Sequence, residues 1–138
     1  INTVFAFSEV KIGIAAATIA PFIIKRIGEF GAKELMITGK RFGSDEALKW
    51  RLVNHALVEN ELDMELEKLQ AQILSNGPHA VRETKKLIGK VVNEISDELE
   101  IEDYTTKLIA KLRASQEGQE GMTSFLEKRK PNWSTDNT

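Results

Sequence analysis

The chain has 138 residues, enough for one domain, and a chain of this length buries roughly two-thirds of its unfolded surface. Its 19 basic and 21 acidic residues nearly balance, which argues against nucleic acid or a membrane as the main partner. It has no cysteine, so disulfides and thiolate metal sites are excluded. His55 and His79 share no metal-ligand spacing, and no metal site is predicted.

The first twenty residues predict a strand followed by a segment of small residues. Val4–Phe7 is short, apolar and partly β-branched or aromatic, as strands are. A lone strand needs sheet partners, so we expect them from chain preceding Ile1 or from another chain. Glu9 follows this strand and suits acid/base chemistry, although composition alone favours a solvated glutamate at a strand end. Gly13 and Ala15–Ala17 suit a close approach of the backbone to a ligand, or a tight turn.

Three short helices and one further strand are predicted next. Thr18 is a candidate N-cap for a helix that ends at Gly28, and a second helix over residues 29–38 ends at Gly39. Ser44 is the candidate N-cap of a helix over residues 45–50. Leu52–Val58 is rich in β-forming residues and predicts a short edge strand.

From residue 59 onward the sequence predicts helices. The first has an apolar stripe at steps of three and four, formed by Leu62, Leu66, Leu69 and Ile73. Asn76–Pro78 breaks it, and Pro78 is well placed to start the next helix. A further, long helix is marked by Ile95, Leu99, Leu108 and Leu112. Gly118 and Gly121 are expected to interrupt the chain before a last helix, and Trp133 is expected in a frayed polar tail.

Six short motifs occur along the chain in a specific order and spacing, although each alone is weak. They are Phe7–Ile14, Arg26–Gly28, Ala32–Gly39, Glu46–Ala47, Leu52–Asn54 and Glu120–Pro131. Together they resemble the C-terminal half of the enoyl-CoA hydratase/isomerase (crotonase) superfamily. The stretch that contains Thr18, Ile19 and Pro21 is most similar to the methylglutaconyl-CoA hydratase-like branch.

The resemblance implies an α/β crotonase-like fold, in which a spiral of ββα turns precedes a helical region. This chain would be the mostly helical C-terminal half, with a few short strands near its N-terminus. Residues 1–58 would hold the last turn or turns of the spiral with part of the active site. Residues 59–138 would form the helical trimerisation and CoA-contact region.

The resemblance also implies partners and a location. The substrate would be an acyl-CoA thioester, which itself carries the coenzyme A, so no separate cofactor is expected. A homo-oligomer, a trimer or a dimer of trimers, is implied, with neither nucleic acid nor a membrane as partner. The implied location is the bacterial cytoplasm or, alternatively, the mitochondrial matrix.

Glu9 matches the second catalytic glutamate of the family. In hydratases a pair of carboxylates holds a water and moves its protons to and from the substrate. The other glutamate and the two backbone N–H groups of the oxyanion hole are expected upstream of Ile1. Gly13 and Ala17 match the segment that approaches the catalytic water and the acyl group, although tight packing explains them equally well.

Phe125 and Lys128 match family positions that contact the adenine and the phosphates of CoA. Lys128 begins a basic cluster, residues 128–130, which suits phosphate and equally suits a solvated helix end. Phe125 is also compatible with a core position.

Three residues depart from the family pattern. Ser8 and Ala16 stand where relatives often have proline, and both are expected to loosen the loop that holds Glu9. Arg51 stands where the family usually has glycine, so a less tight turn is expected there.

The leading interpretation is the C-terminal part of an enoyl-CoA hydratase that is inactive as this fragment alone. The alternatives are a double-bond isomerase of the same superfamily and a non-catalytic oligomerisation or CoA-binding fragment.

Overall fold

The computed structural model describes residues 2–134, and the chain divides into two units, Ile1–Met64 and Glu65–Thr138. The elements in chain order are β1 (Val4–Ala6), a 3₁₀ helix (Glu9–Ile12), α1 (Ala20–Thr38), β2 (Arg41–Gly43), α2 (Ser44–Lys49), α3 (Glu59–Leu74), α4 (Pro78–Asn93), α5 (Glu98–Ala114) and α6 (Gln116–Leu126). The division of this chain into a spiral region, residues 1–58, and a helical region, residues 59–138, stays a prediction.

In the first unit, β1 and β2 form an antiparallel pair in which Phe5 lies opposite Phe42. The rings of these two residues stack with their centroids 5.5 Å apart. Phe7 also contacts Phe42, and both belong to a buried cluster with Leu35, which is completely inaccessible. The predicted first strand is therefore confirmed, ending one residue earlier. The sequence did not predict β2, which has three residues and ends in glycine.

The two predicted helices before residue 39 are one element, α1, with a break at Gly28. Gly28 has φ 76° and ψ 169°, which is not helical and is open to glycine almost alone. The helix starts after Ile19, whose side chain makes no capping bond, so the prediction of Thr18 as the N-cap is wrong. Gly39 ends the helix in the left-handed conformation, as predicted.

The predicted edge strand at Leu52–Val58 is wrong, because the structure has irregular chain there. The N–H groups of Leu52 and Val53 donate to the carbonyl of Ala47 at the end of α2, at 2.8 and 3.5 Å. The carbonyl of Leu52 accepts from the Arg26 guanidinium at 3.4 Å. These partners use the backbone groups that a strand would need for its ladder. One residue separates the predicted and observed caps of α2: Gly43 is the N-cap and Ser44 is the first helical residue.

Trp50 packs against the core of the first unit. Its ring is partly buried against the core and lies over Gly31. A Cβ at Gly31 would be 2.8 Å from Cε3 of Trp50, so the close contact requires glycine at this position.

Arg51 adopts the left-handed conformation, with φ 58°. Its N–H donates to the carbonyl of Leu48 at 2.9 Å, and the N–H of Leu52 donates to Ala47 at 2.8 Å. These two bonds form a Schellman motif, in which glycine is the preferred residue at the position of Arg51. The expectation of a less tight turn is therefore wrong, because arginine keeps the turn and accepts the strain.

Arg51→Gly is expected to stabilise the protein by about 0.5–1 kcal/mol. It removes a left-handed strain of about 1–2 kcal/mol, and this gain exceeds the loss of stability from the chain entropy that glycine adds to the unfolded state. Chemical denaturation of the two proteins measures the difference. Lys49→Gly is the control, since Lys49 is the last residue of α2 and glycine there should destabilise the helix. A lower unfolding free energy for Arg51→Gly would contradict the prediction.

In the second unit, α4 begins at Pro78, as predicted, and its exposed N–H groups are capped from another helix. The N-cap residue, Gly77, has no side chain to offer. Instead the carboxylate of Glu117 in α6 accepts from the N–H groups of His79 and Ala80, at 2.9 and 2.7 Å. A negative charge at this position also complements the helix dipole. A Cβ at Gly77 would lie 2.6 Å from Oε1 of Glu117, so the glycine makes room for the cap.

Gly118 and Gly121 do not interrupt the chain, because both lie inside α6. The hydroxyl of Ser115 accepts from the N–H of Gly118 at 3.0 Å and starts the helix ahead of both glycines. Each glycine permits a close approach: Gly118 to the carbonyl of Leu112, and Gly121 to the ring of Trp133. The prediction that Trp133 belongs to a frayed tail is therefore wrong, since its ring packs on α6. Residues 135–138 of that tail lie outside the described residues.

The apolar stripe of α3 is largely exposed. Leu62, Leu66, Leu69 and Ile73 have relative exposures of 51, 53, 45 and 48 %. The helix and its periodicity are confirmed. The stripe does not form a core among the described residues.

Candidate functional site

Glu9 is the first residue of the 3₁₀ helix that follows β1 and the buried Phe7. The turn is closed by backbone bonds: Lys11 donates to Ser8 at 2.9 Å, and Ile14 donates to Glu9 at 3.2 Å. Glu9 is thus anchored on one side by the core and on the other by its own turn.

The carboxylate of Glu9 is half-buried and incompletely paired. Its Oε2 atom is buried and has no hydrogen-bond partner within residues 2–134. Most buried polar atoms in proteins do have such a partner, because an unpaired one costs about 1–3 kcal/mol. An unpaired acceptor held on an ordered turn is available to accept a hydrogen bond from a water or a substrate.

Gly13 lies directly after the same 3₁₀ helix, in the left-handed conformation with φ 79°. A side chain there would meet no atom within 4 Å, so its backbone is open to approach. Ala17 is exposed one short turn further along. Ile12 and Ile14, which flank Gly13, are 77 and 57 % exposed. The structure therefore places Glu9 and Gly13 on the same turn, which also carries two exposed apolar side chains.

Phe125 and Lys128 belong to the second unit, at the end of α6. Phe125 is 82 % exposed, so it is not a core residue among those described. Lys128 has φ 53° because it follows the helix in a second Schellman motif. In this motif the N–H of Lys128 donates to the carbonyl of Phe125, and the N–H of Arg129 donates to the carbonyl of Ser124. Both side chains are accessible.

The predicted basic cluster at residues 128–130 is divided by ion pairs. The guanidinium of Arg129 binds both carboxylate oxygens of Glu120, at 2.7 and 2.9 Å, and also Glu127 at 2.6 Å. The bonds from Arg129, with a further one from the N–H of Asn132, lower the pKa of Glu120 to about 2. Glu120 in turn raises the pKa of Arg129. Arg129 is therefore occupied by carboxylates, which leaves Lys128 as the better candidate for phosphate.

One contact near Glu9 could not be predicted from the sequence. Gly39, at the end of α1, lies against Val10 and Lys11 of the 3₁₀ helix. The sequence predicts that Gly39 ends a helix, but nothing in the residues around Gly39 predicts its contact with Val10 and Lys11.

Within residues 2–134, no group of three or more His, Asp or Glu side chains is arranged to hold a metal ion. In the same range, no helix is both long and apolar enough to cross a membrane.

The chain belongs to the enoyl-CoA hydratase/isomerase family, whose model matches residues 1–136. The motifs and the order of elements place it in the C-terminal half of that family. The recognition made from the sequence is therefore confirmed at the level of the family.

Two solved structures show the fold. An enoyl-CoA hydratase from Shewanella pealeana is 33% identical, with a TM-score of 0.85 over 95% of this chain and 48% of that chain. AtuE of Pseudomonas aeruginosa is also 33% identical, with a TM-score of 0.88 over 96% of this chain and 51% of that chain. The crotonase-like fold, of which this chain is the mostly helical half, is confirmed.

The matches to curated relatives also cover nearly all of this chain and about half of each relative. The mevalonyl-coenzyme A hydratase of Aspergillus fumigatus is 31% identical over 96% of this chain and 49% of its own length. The crotonyl-CoA hydratase of Syntrophomonas wolfei is 35% identical over 96% of this chain and 50% of its own length. The chain thus spans about half the length of the curated relatives it matches.

Proposed function

We propose that this chain supplies part of the active site of an enoyl-CoA hydratase, which adds water across the double bond of a 2-enoyl-CoA thioester. The observation that carries the proposal is the buried, unpaired Oε2 of Glu9, on the turn where the family motif lies. Family membership supports a hydratase or an isomerase, and the curated relatives above are named as hydratases of CoA compounds.

In the proposed reaction Glu9 acts as a general acid/base. The oxygen of water bonds to the β-carbon of the thioester, and a proton is delivered to the α-carbon, so that no atom is lost. Glu9 holds the water through its free carboxylate oxygen and takes part in the proton transfer. The second carboxylate and the oxyanion donors belong to the half of the relatives that has no counterpart here. Phe125 and Lys128 contact the CoA moiety.

Product analysis in heavy-oxygen water tests the reaction type. The active enzyme that contains this chain is incubated with crotonyl-CoA, and we expect 3-hydroxybutyryl-CoA that carries the heavy oxygen. Conversion of a 3-enoyl-CoA to the 2-enoyl isomer, without any incorporation, would identify an isomerase and contradict hydration.

Residues 1–138 alone are expected to give no hydration above the uncatalysed rate. Removal of a single oxyanion donor costs about 10²–10³ in rate, and on this proposal both donors lie outside the chain. Crotonyl-CoA turnover by the isolated chain, measured as loss of the enoyl thioester absorbance, would overturn this prediction. The methylglutaconyl-type branch, the homo-oligomer and the cellular location stay predictions.

A further inference from the structure

Gly39 ends α1 with φ 56° and ψ 26°, and it is buried. Its N–H donates to the carbonyl of Leu35 at 3.2 Å. The next residue, Lys40, forms ion pairs with Glu34 and Glu46, each at 2.6 Å. The backbone at Gly39 is therefore held on both sides, by the helix that it ends and by the side chain that follows it.

The space where a Cβ of Gly39 would lie is limited by the helix that carries Glu9. That Cβ would be 3.0 Å from Cγ2 of Val10 and 3.2 Å from Cε of Lys11. Gly13 and Gly28 also have positive φ, but a Cβ at either would meet no atom within 4 Å. Gly13 itself belongs to the candidate site, and of the other two positive-φ glycines in the described chain only Gly39 lies against the 3₁₀ helix that carries Glu9.

We propose that Gly39 is a positioning residue for Glu9: the missing side chain lets the 3₁₀ helix rest directly on the end of α1 and sets the position of the carboxylate. Carbon atoms in contact are about 3.5–4.0 Å apart, so a methyl group at 3.0 Å must displace Val10 by a few tenths of an ångström. The Lys11 side chain can swing away. Val10 is β-branched, restricted in rotation and bonded to Glu9, so the displacement passes to Glu9.

This inference rests on the proposed function of Glu9, and its test is a set of variants of the active enzyme that contains this chain. Gly39→Ala is expected to lower kcat about tenfold with little change in KM, because a misplaced acid/base group slows chemistry rather than binding. Gly28→Ala is the control, since it imposes a backbone strain at least as large, in a conformation open to glycine almost alone, without touching the 3₁₀ helix. We expect it to lower thermal stability and to keep kcat.

Rescue separates positioning from general destabilisation. Val10→Ala removes the methyl carbon that Gly39→Ala would strike, so the double variant should recover most of the lost kcat relative to Val10→Ala alone. Where Gly39→Ala folds poorly, Gly39→Asn serves the same purpose, because asparagine tolerates the left-handed conformation and carries the same Cβ.

An equal loss of kcat in Gly28→Ala and Gly39→Ala, or no rescue by Val10→Ala, would overturn the positioning role of Gly39 without affecting the proposed function. Normal turnover in Gly39→Ala, while Glu9→Gln is inactive, would also remove Gly39 and leave the proposed function intact. Normal turnover in Glu9→Gln would overturn the proposed function, and the positioning role with it.

Discussion

Glu9→Gln is expected to lower the hydration rate of the active enzyme by roughly 10²–10⁴-fold, the contribution of a positioned acid/base group. Glutamine keeps the size of the side chain, so the 3₁₀ helix and its contacts should remain. Its amide is neither an acid nor a base near neutral pH, so it cannot carry the proton transfer. The fall should therefore appear in kcat, measured with saturating 2-enoyl-CoA, while thermal unfolding of the variant stays close to that of the wild type.

Glu29→Gln is the matched control, because it makes the same chemical change in the same unit. Glu29 is 76 % exposed, and its ion pair with Lys33 spans one turn of α1. Exposed pairs of this kind contribute about 0.3–0.5 kcal/mol, so neither stability nor turnover should change appreciably. Wild-type turnover in Glu9→Gln, or an equal loss in both variants, would refute the role of Glu9.

Gly118→Ala is expected to destabilise the second unit by about 3 kcal/mol, at the upper end of the cost of overpacking. A Cβ at Gly118 would lie 2.1 Å from the carbonyl oxygen of Leu112 and 3.3 Å from Cα of Arg113. These are backbone atoms and cannot rotate away. The junction of α5 and α6 must therefore open, and the bond from Gly118 to Ser115 is lost with it. Thermal unfolding should show a lower midpoint, by on the order of 10 °C.

Gly89→Ala provides a control of opposite sign. Gly89 lies inside α4, and a Cβ there would meet no atom within 4 Å. Replacing an interior helical glycine by alanine stabilises by about 1 kcal/mol. A Gly118→Ala protein as stable as the Gly89→Ala protein would show that α5 and α6 do not meet as closely as described.

The features that the sequence predicts well are those whose cause is local. Pro78 has no N–H to lose and a φ suited to a first helical turn, so the start of α4 is determined by the residue itself. Gly39 ends α1 for a similar reason, since glycine adopts the left-handed conformation without strain. Glu9 was found through a family motif, because a carboxylate after a strand is not distinctive by chemistry alone.

The features that the sequence did not predict depend on partners outside the local pattern. Leu52–Val58 has the composition of a strand, but the end of α2 and Arg26 take its hydrogen bonds. Gly118 and Gly121 resemble breaks, yet their small size serves contacts with Leu112 and Trp133. Arg129 belongs to a basic cluster that suits phosphate, but its guanidinium binds the carboxylate of Glu120. In each case the pattern was real, and the competing partner lay outside the segment that carried it.

The cap of α4 also has a consequence for biosynthesis. Glu117 lies 38 residues after His79, whose N–H it accepts, while Gly77 offers no capping side chain of its own. During translation the first turn of α4 therefore leaves the ribosome well before its cap. Until α6 has emerged, those N–H groups depend on water, and a chaperone or protease that meets the nascent chain meets a helix with a frayed beginning.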